Sequence, residues 1–342
     1  MTLTVTNMAK PFEKIAVIGD GGWGTTLAIH LAKNGFPVHL WGPFPHYVRQ
    51  MSKNRYNAKF LPGVRIPKEV SLVEDLKEAV QACDLIVFAI PSQYAPAVLK
   101  DLNKTKVNFS EKVFVSVTKG IDDATLRRMS ELITTELGDI PLAVLSGPTI
   151  AVEVAKGIPS TAVAASADLK IAKRVQAAFN SETFRIYTNT DVVGVEIGGS
   201  IKNIIALACG ICDGLGYGTN TKAAILTRGL AEMSRLGKAL GAKPKTFSGL
   251  SGLGDLATTC FSPRSRNRTV GEKLGKGQTI KSILSSMKMV AEGVETVKGV
   301  VKLSKKLNID MPISQEIYHI IYDNKKPLQA VTDLMTRKTK AE

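Results

Sequence analysis

The stretch Lys14-Ile-Ala-Val-Ile-Gly19-Asp-Gly21-Gly-Trp-Gly24 decides the fold of this chain. A short apolar, β-branched run leads straight into Gly19-x-Gly21-x-x-Gly24, and a helical pattern over 24–35 follows. Each glycine has its own reason to be there. Gly19 allows the tight turn, Gly21 lets main chain come close to a pyrophosphate, and Gly24 lets the helix pack on the strand. The free N–H groups and positive dipole of the helix N-terminus then receive the pyrophosphate. Glycine-rich turns are common, so the motif alone is weak. The strand before it, the helix after it and a second strand at 37–42 together mark a dinucleotide-binding βαβ unit.

Outward from this unit, short apolar runs recur at 84–90, 112–118 and 141–145. Helical patterns at 71–82, 93–101 and 123–137 lie between them, an alternation that predicts a parallel sheet covered on both faces. Runs 161–165 and 184–187 add strands near the sheet edge. From Val192 onward the pattern is helical. Val195, Ile197, Ile201, Ile204, Ile205, Ala208 and Ile211 build a long apolar helix, with further helices near 222–240, 267–275, 279–287, 293–308 and 312–322. The expected fold is α/β: a Rossmann-type, mostly parallel sheet domain over 1–190, then an all-α domain over 191–342. No fixed repeat and no low-complexity segment interrupts it.

The 342 residues, 44% hydrophobic and 22% charged, are those of an ordinary folded protein of about two domains. No uninterrupted apolar run approaches the ~18 residues of a membrane span. The first ten residues lack a signal-peptide core and read as a frayed extension. Four cysteines do not make a disulfide scaffold, so the expected compartment is the reducing cytoplasm. Cys209-Gly-Ile-Cys212 has redox spacing, but it lies in the long helix with no second pair and no nearby histidine. It reads as core packing, and no metal site is expected. The net charge of +15 is spread along the chain, clustering only at Lys325-Lys326 and Arg337-Lys338-Thr-Lys340. Such charge suits a solvated surface or the steering of a small anion. No recognition helix or aromatic-basic interleaving supports nucleic-acid binding.

Ligands of such sheets bind beyond the carboxyl ends of the strands. There the sequence places Gly19–Gly24, Pro91-Ser92, Thr118-Lys119-Gly120 and Ser146-Gly147-Pro148-Thr149, with Lys119 the one cation at the rim. The helical half adds two groups. Gly198-Gly199-Ser200-Ile-Lys202-Asn203 sets a lysine and an asparagine in an apolar helix whose glycines weaken it, as happens where something must come close; the lysine could equally snorkel to solvent. Gly252-Leu-Gly254-Asp255 and Arg264-Ser265-Arg266-Asn267-Arg268 supply an acid, either a helix cap or a lysine partner, and three arginines that suit a dianionic phosphate or simply a solvated loop.

Taken together, these motifs resemble the NAD(P)-dependent glycerol-3-phosphate dehydrogenases, particularly of the bacterial type. The resemblance runs from about residue 14 to 325. It is carried by Gly19-x-Gly21-x-Trp23-Gly24-Thr25, Asn57-x-x-Phe60-Leu-Pro-Gly63, Val117-Thr-Lys119-Gly120, Ser146-Gly-Pro-Thr149-x-Ala151-x-Glu153, Gly198-Gly-Ser-Ile-Lys202-Asn203, Gly252-Leu-Gly-Asp255, Ser265-Arg-Asn-Arg268 and Val290-Ala-Glu292-Gly293. It implies reversible reduction of dihydroxyacetone phosphate to sn-glycerol 3-phosphate with NAD(H) or NADP(H), supplying glycerophospholipid synthesis. It also implies roles. Lys202 is the general acid/base, Lys119 a second active-site lysine touching substrate and cofactor, and Asp255 their partner. Ser265, Arg266 and Asn267 hold the phosphate, while Gly147, Thr149 and Asn203 line the substrate site. Gly19, Gly21, Gly22, Trp23, Gly24, Lys119, Ala151, Arg266, Val290 and Glu292 meet the cofactor. Two lysines in one dry pocket would lower each other's pKa.

Three positions depart from the family pattern. Asp20 stands where a small residue is usual, and an acid beside a pyrophosphate is unfavourable unless it turns to solvent. Gly22 replaces the usual serine or alanine. After Leu40-Trp41-Gly42 comes Pro43, with neither the usual ribose-binding acid nor an arginine for a 2′-phosphate; Arg49, further on, is the available cation. The choice between NAD and NADP therefore stays open. The alternatives are a 3-hydroxyacid or 6-phosphogluconate-type dehydrogenase, and a dinucleotide-sensing protein without turnover. The phosphate loop speaks against the first; Lys119, Lys202 and Asp255 together speak against the second. The apolar helical half is compatible with a homodimer.

Overall fold

The structure, a computed structural model, describes residues 11–287, 289–339 and 341. The first ten residues, read above as a frayed extension, lie outside these, as does Lys340. Ten strands are present: β1 (Ile15–Ile18), β2 (Val38–Trp41), β3 (Tyr56–Asn57), β4 (Leu61–Arg65), β5 (Val70–Val73), β6 (Leu85–Phe88), β7 (Val113–Ser116), β8 (Leu142–Ser146), β9 (Ser160–Ala165) and β10 (Phe184–Asn189). Eight of them form one sheet in the order β10-β9-β8-β7-β6-β1-β2-β5; β3 and β4 pair separately as an antiparallel hairpin. All pairs in the large sheet are parallel except β8 with β9. The central strands are apolar on both faces because helices cover both faces, and every residue of β1, β6 and β7 is buried.

Two expectations shift. The helix expected over 71–82 is instead the edge strand β5 followed by the helix Leu76–Gln81, capped by Asp75. Val70-Ser-Leu-Val73 pairs with β2, and that tertiary contact outweighs the helical spacing of its apolar residues. The helix expected over 123–137 begins only at Met129. Before it, Asp122 accepts hydrogen bonds from the Thr125 main chain and hydroxyl, and Leu126 sits at φ 61°. That turn leaves no room for an earlier helix start.

Beyond β10 every element among the described residues is helical. The helix Val192–Gly214 is capped by Asp191 and buried along most of its length. It is long and apolar enough to cross a membrane by length and composition, but here it is the core of the helical half. Cys209 and Cys212 are buried on it, as packing residues. Its buried Glu196 reaches the sheet side. It pairs with Arg128 at 2.5 Å and accepts from the Ser130 main chain at 2.8 Å and the Ser130 hydroxyl at 2.6 Å. This contact, at the N-terminus of the helix Met129–Leu137, joins the long helix to the sheet layer.

The long helix and the helix Arg266–Gly275 meet main chain to main chain. A Cβ on Gly210 or Gly214 would come within 2.0 or 2.2 Å of the Arg268 or Glu272 carbonyl oxygen. In return, a Cβ on Gly271 or Gly275 would come within 2.1 or 2.4 Å of the Leu207 or Ile211 carbonyl oxygen. Each helix therefore carries a glycine pair four residues apart, and any larger residue would force the axes apart.

Candidate active site

The glycine loop folds as its spacing requires. Gly19 has φ +120°, and a Cβ there would lie 2.6 Å from the Ala89 carbonyl oxygen at the end of β6. A Cβ on Gly24 would lie 1.9 Å from the Gly19 carbonyl oxygen. Nothing stands within 4 Å of where a Gly21 Cβ would be, so the loop faces open space. The helix Gly22–Lys33 begins there with no side-chain cap, which leaves its first N–H groups free for an anion.

A cavity of about 470 Å³ opens from this loop and runs between sheet and helical half. Its walls include Gly21, Gly22, Trp23, Gly24, Lys119, Thr149, Ala151, Lys202, Asn203, Ser265, Arg266, Asn267, Val290 and Glu292. Most of the residues singled out from the sequence are thus brought together. Gly19, Gly147 and Asp255 are not in the wall but behind it. Gly19 makes the turn. The Gly147 carbonyl accepts a hydrogen bond from Lys119 Nζ at 3.3 Å.

Asp255 is 1% exposed and holds both lysines: Lys119 Nζ donates to Oδ2 at 2.5 Å, and Lys202 Nζ donates to Oδ1. So Asp255 acts as a lysine partner, and Lys202 is buried rather than snorkelling. Gly199 makes this possible, since the Lys119 stem crosses it, with Cγ 3.3 Å from where a Cβ would stand. Gly198 lets the Ser251 carbonyl oxygen approach, at 2.4 Å from its own absent Cβ.

Burial pulls the Lys202 pKa down to about 7, against the attraction of Asp255 and with help from the Lys119 charge. A lysine so placed both gives and takes a proton near neutral pH. Thr259, to which the sequence assigns no role, completes the lysine's surroundings. Its hydroxyl accepts from Lys202 Nζ at 2.9 Å and donates to the Asp255 carbonyl at 2.7 Å, fixing the ammonium's direction. The available signal was spacing: Thr259 stands one helical turn from Asp255, on the same face.

The arginine-rich loop splits. Arg264 and Arg266 line the cavity, but Arg268 pairs with Asp213 at 2.6 Å and does not. Arg266 has no hydrogen-bond or ion-pair partner among the described residues and stands in the first turn of its helix, behind the Ser265 cap. Asn267 is committed within the protein. Its Nδ2 donates to Asn203 Oδ1 at 3.0 Å, and its Oδ1 accepts from the Gly293 main chain at 2.9 Å. Asn267 thereby holds the Asn203 amide so that Asn203 Nδ2, buried and without a partner among the described residues, is the donor left for a ligand. Glu292 begins the helix Glu292–Lys306. Burial raises its pKa, while Arg266, Lys119 and Lys202 counter.

Known proteins match this arrangement along almost its whole length. The family profile for the NAD-dependent glycerol-3-phosphate dehydrogenase N-terminus matches residues 14–172, and that for the C-terminus matches residues 191–332. A protein of Chlorobium phaeobacteroides (strain BS1), named glycerol-3-phosphate dehydrogenase (NAD(P)+), is 49% identical over 332 residues, covering 96% of this chain and 99% of its own. One of the same name from Citrifermentans bemidjiense is 49% identical over 333 residues, with the same coverage. The crystal structure of glycerol-3-phosphate dehydrogenase from Coxiella burnetii superposes with a TM-score of 0.92 at 36% identity, covering 96% of this chain and 100% of that one.

Proposed function

The chain belongs to the NAD-dependent glycerol-3-phosphate dehydrogenase family, and from that premise we propose that it reduces dihydroxyacetone phosphate to sn-glycerol 3-phosphate, the backbone of glycerophospholipids. The observation that carries the reading is one carboxylate holding two lysines at the wall of a cavity that also presents an unpaired arginine. A nicotinamide dinucleotide fits the remainder: an uncapped helix N-terminus behind a glycine loop open on its outer side. When bound, it supplies the hydride.

The protein's own groups do the rest. Arg266, with the first-turn N–H groups of its helix that the Ser265 cap leaves free, takes the phosphate dianion. Asn203 Nδ2 donates to a substrate oxygen. Lys202 Nζ gives its proton to the carbonyl oxygen as negative charge develops there, and the C=O double bond becomes C–O–H. Lys202 is left neutral and recovers a proton from water. Asp255 and Thr259 aim it, and the Lys119 charge stabilises the developing alkoxide. In the oxidative direction neutral Lys202 takes the proton instead. A cytoplasmic location and a homodimer go with this reading, the former supported by four free, buried cysteines; sedimentation measures the latter.

A coupled absorbance assay tests the proposal. Purified protein oxidises reduced nicotinamide dinucleotide with dihydroxyacetone phosphate and hardly at all with dihydroxyacetone. Equal rates on the two would remove the phosphate-binding role of Arg266. A 3-hydroxyacid or a 6-phosphogluconate substrate turned over faster would overturn the assignment.

A further inference from the structure

Asp20, inside the glycine loop, has no part in the chemistry above. It does not turn to solvent, which would have made an acid beside a pyrophosphate tolerable; it is 4% exposed. Its carboxyl lies on Gly42, the first residue after β2. A Cβ on Gly42 would come within 2.4 Å of both Asp20 Cγ and Asp20 Oδ2, so the absent side chain of Gly42 is the space the carboxyl occupies. The loop around it is pinned. The Asp20 carbonyl accepts from Asn57 Nδ2 at 2.7 Å and Thr25 Oγ1 at 3.1 Å, and Asn57 also donates to Thr25 Oγ1 at 2.8 Å. Asp20 Oδ2 is buried and has no hydrogen-bond partner among the described residues. A carboxylate oxygen in that state is costly unless a donor arrives. Burial lifts the Asp20 pKa to about 6, with Lys59 the nearby cation pulling it back.

The gap between the carboxyl ends of β1 and β2 is where a doubly wound sheet takes the adenosine ribose, and the acid that meets the 2′-hydroxyl ordinarily stands at the end of the second strand. Here that end reads Trp41-Gly42-Pro43-Phe44, with neither acid nor base. Arg49 is paired with Glu74 at 2.5 Å. We infer that Asp20, reaching over Gly42 from the end of β1, supplies the carboxylate that the end of β2 lacks, accepts the adenosine 2′-hydroxyl, and selects NAD(H) over NADP(H). A hydroxyl there gives the orphan oxygen its donor. A 2′-phosphate there sets two anions against each other, with Lys59 nearby to offset only part of the repulsion. The inference rests on the dinucleotide reading and goes beyond it, because the relatives' names admit either cofactor.

The test reads binding as well as turnover. Calorimetric titration with 5′-AMP and adenosine 2′,5′-bisphosphate, and with NADH and NADPH, compares wild type with Asp20→Asn and Asp20→Ala. Wild type should bind the non-phosphorylated member of each pair at least about tenfold more tightly, the scale of one charge-assisted hydrogen bond. Asp20→Asn, which keeps shape and loses charge, should narrow that gap at least about tenfold, chiefly by improving binding of the 2′-phosphate. A wild type that favours the 2′-phosphorylated ligands overturns the inference, whether or not the variants fold. So does an Asp20→Asn that moves both members of a pair by the same factor, because a merely structural residue would do that. Binding with the stated preference but no turnover of dihydroxyacetone phosphate would instead count against the proposed reaction and leave the inference standing.

Discussion

Asp255→Asn isolates what the shared carboxylate does, because it removes charge and keeps shape. Two ammonium groups lean on this one group. At about 4 Å and an effective dielectric of about 20, one such pair attracts by about 4 kcal/mol. At 1.36 kcal/mol per unit this is about 3 pKa units. Lys202 stands at about 7 with Asp255 holding it up and Lys119 pushing it down. Without the carboxylate it falls towards about 4, so at neutral pH its protonated share drops from about one half to about one in 10³. The rate of reduction should drop by roughly 10²–10³ with it. The assay is kcat for reduction across pH. In wild type the rate declines as pH rises through about 7, because the proton donor is lost; oxidation rises over the same interval. In Asp255→Asn the declining limb should move at least about 2 units to the acid side, with activity recovering as pH is lowered. A loss equal at every pH, in a variant whose melting shows it folded, would refute the reasoning, since it would mean that Asp255 does not act through the charge of Lys202.

Lys202→Ala should lower kcat by roughly 10² or more while leaving nucleotide binding, measured by calorimetry, nearly unchanged. Arg266→Lys keeps the charge and loses the planar fork, so kcat/KM for dihydroxyacetone phosphate should fall about 10–100-fold; wild-type kinetics would point to Arg264 instead. Glu232, 1% exposed, takes the N-terminus of the helix Pro312–Tyr322 through the Ile313 and Ser314 main-chain N–H groups, and burial lifts its pKa from 4.5 to about 7. A folded-state pKa raised above the unfolded one gives stability that is complete below about 4.5 and lost as pH rises through about 7, on the order of 3 kcal/mol in all. Denaturant melts across that interval should show the decline, and Glu232→Gln should flatten it.

The sheet was legible because its strands are nearly uniform apolar runs, and the helical half because its apolar stripes repeat at 3.6 residues. The edge strand β5 was not. Its apolar residues share a helical period with Leu76, Ala79 and Val80, and only pairing with β2 distinguishes the two. The hairpin of β3 and β4 was invisible for a related reason: it is short and turns at Ala58-Lys59-Phe60, with little apolar alternation. At the site, residue types marked Lys119, Lys202 and Asp255, because a charge in an apolar helix or at a strand end is conspicuous. Their division of labour was not marked. That Arg268 belongs to Asp213, and that Asn267 supports Asn203, depends on which way each side chain leaves its helix. Asp20 shows the limit most sharply. The sequence flagged it as out of place, yet the reason it is tolerated lies at Gly42, just past the end of another strand.

The paired glycines between the helices Val192–Gly214 and Arg266–Gly275 make a caliper of the site. One jaw carries Lys202 and the other Arg266, and the gap between them is set by main chain resting on main chain, with no side chain to shim it. Side chains adjust by rotamer; two carbonyl-backed helices do not. With the roles proposed for Lys202 and Arg266, the span from reacting carbonyl to phosphate would be gauged before any ligand arrives. On that reading a substrate one carbon longer or shorter should meet either lysine or arginine in register, but not both, and widening its acceptance would require changing how the two helices touch at Gly210, Gly214, Gly271 and Gly275.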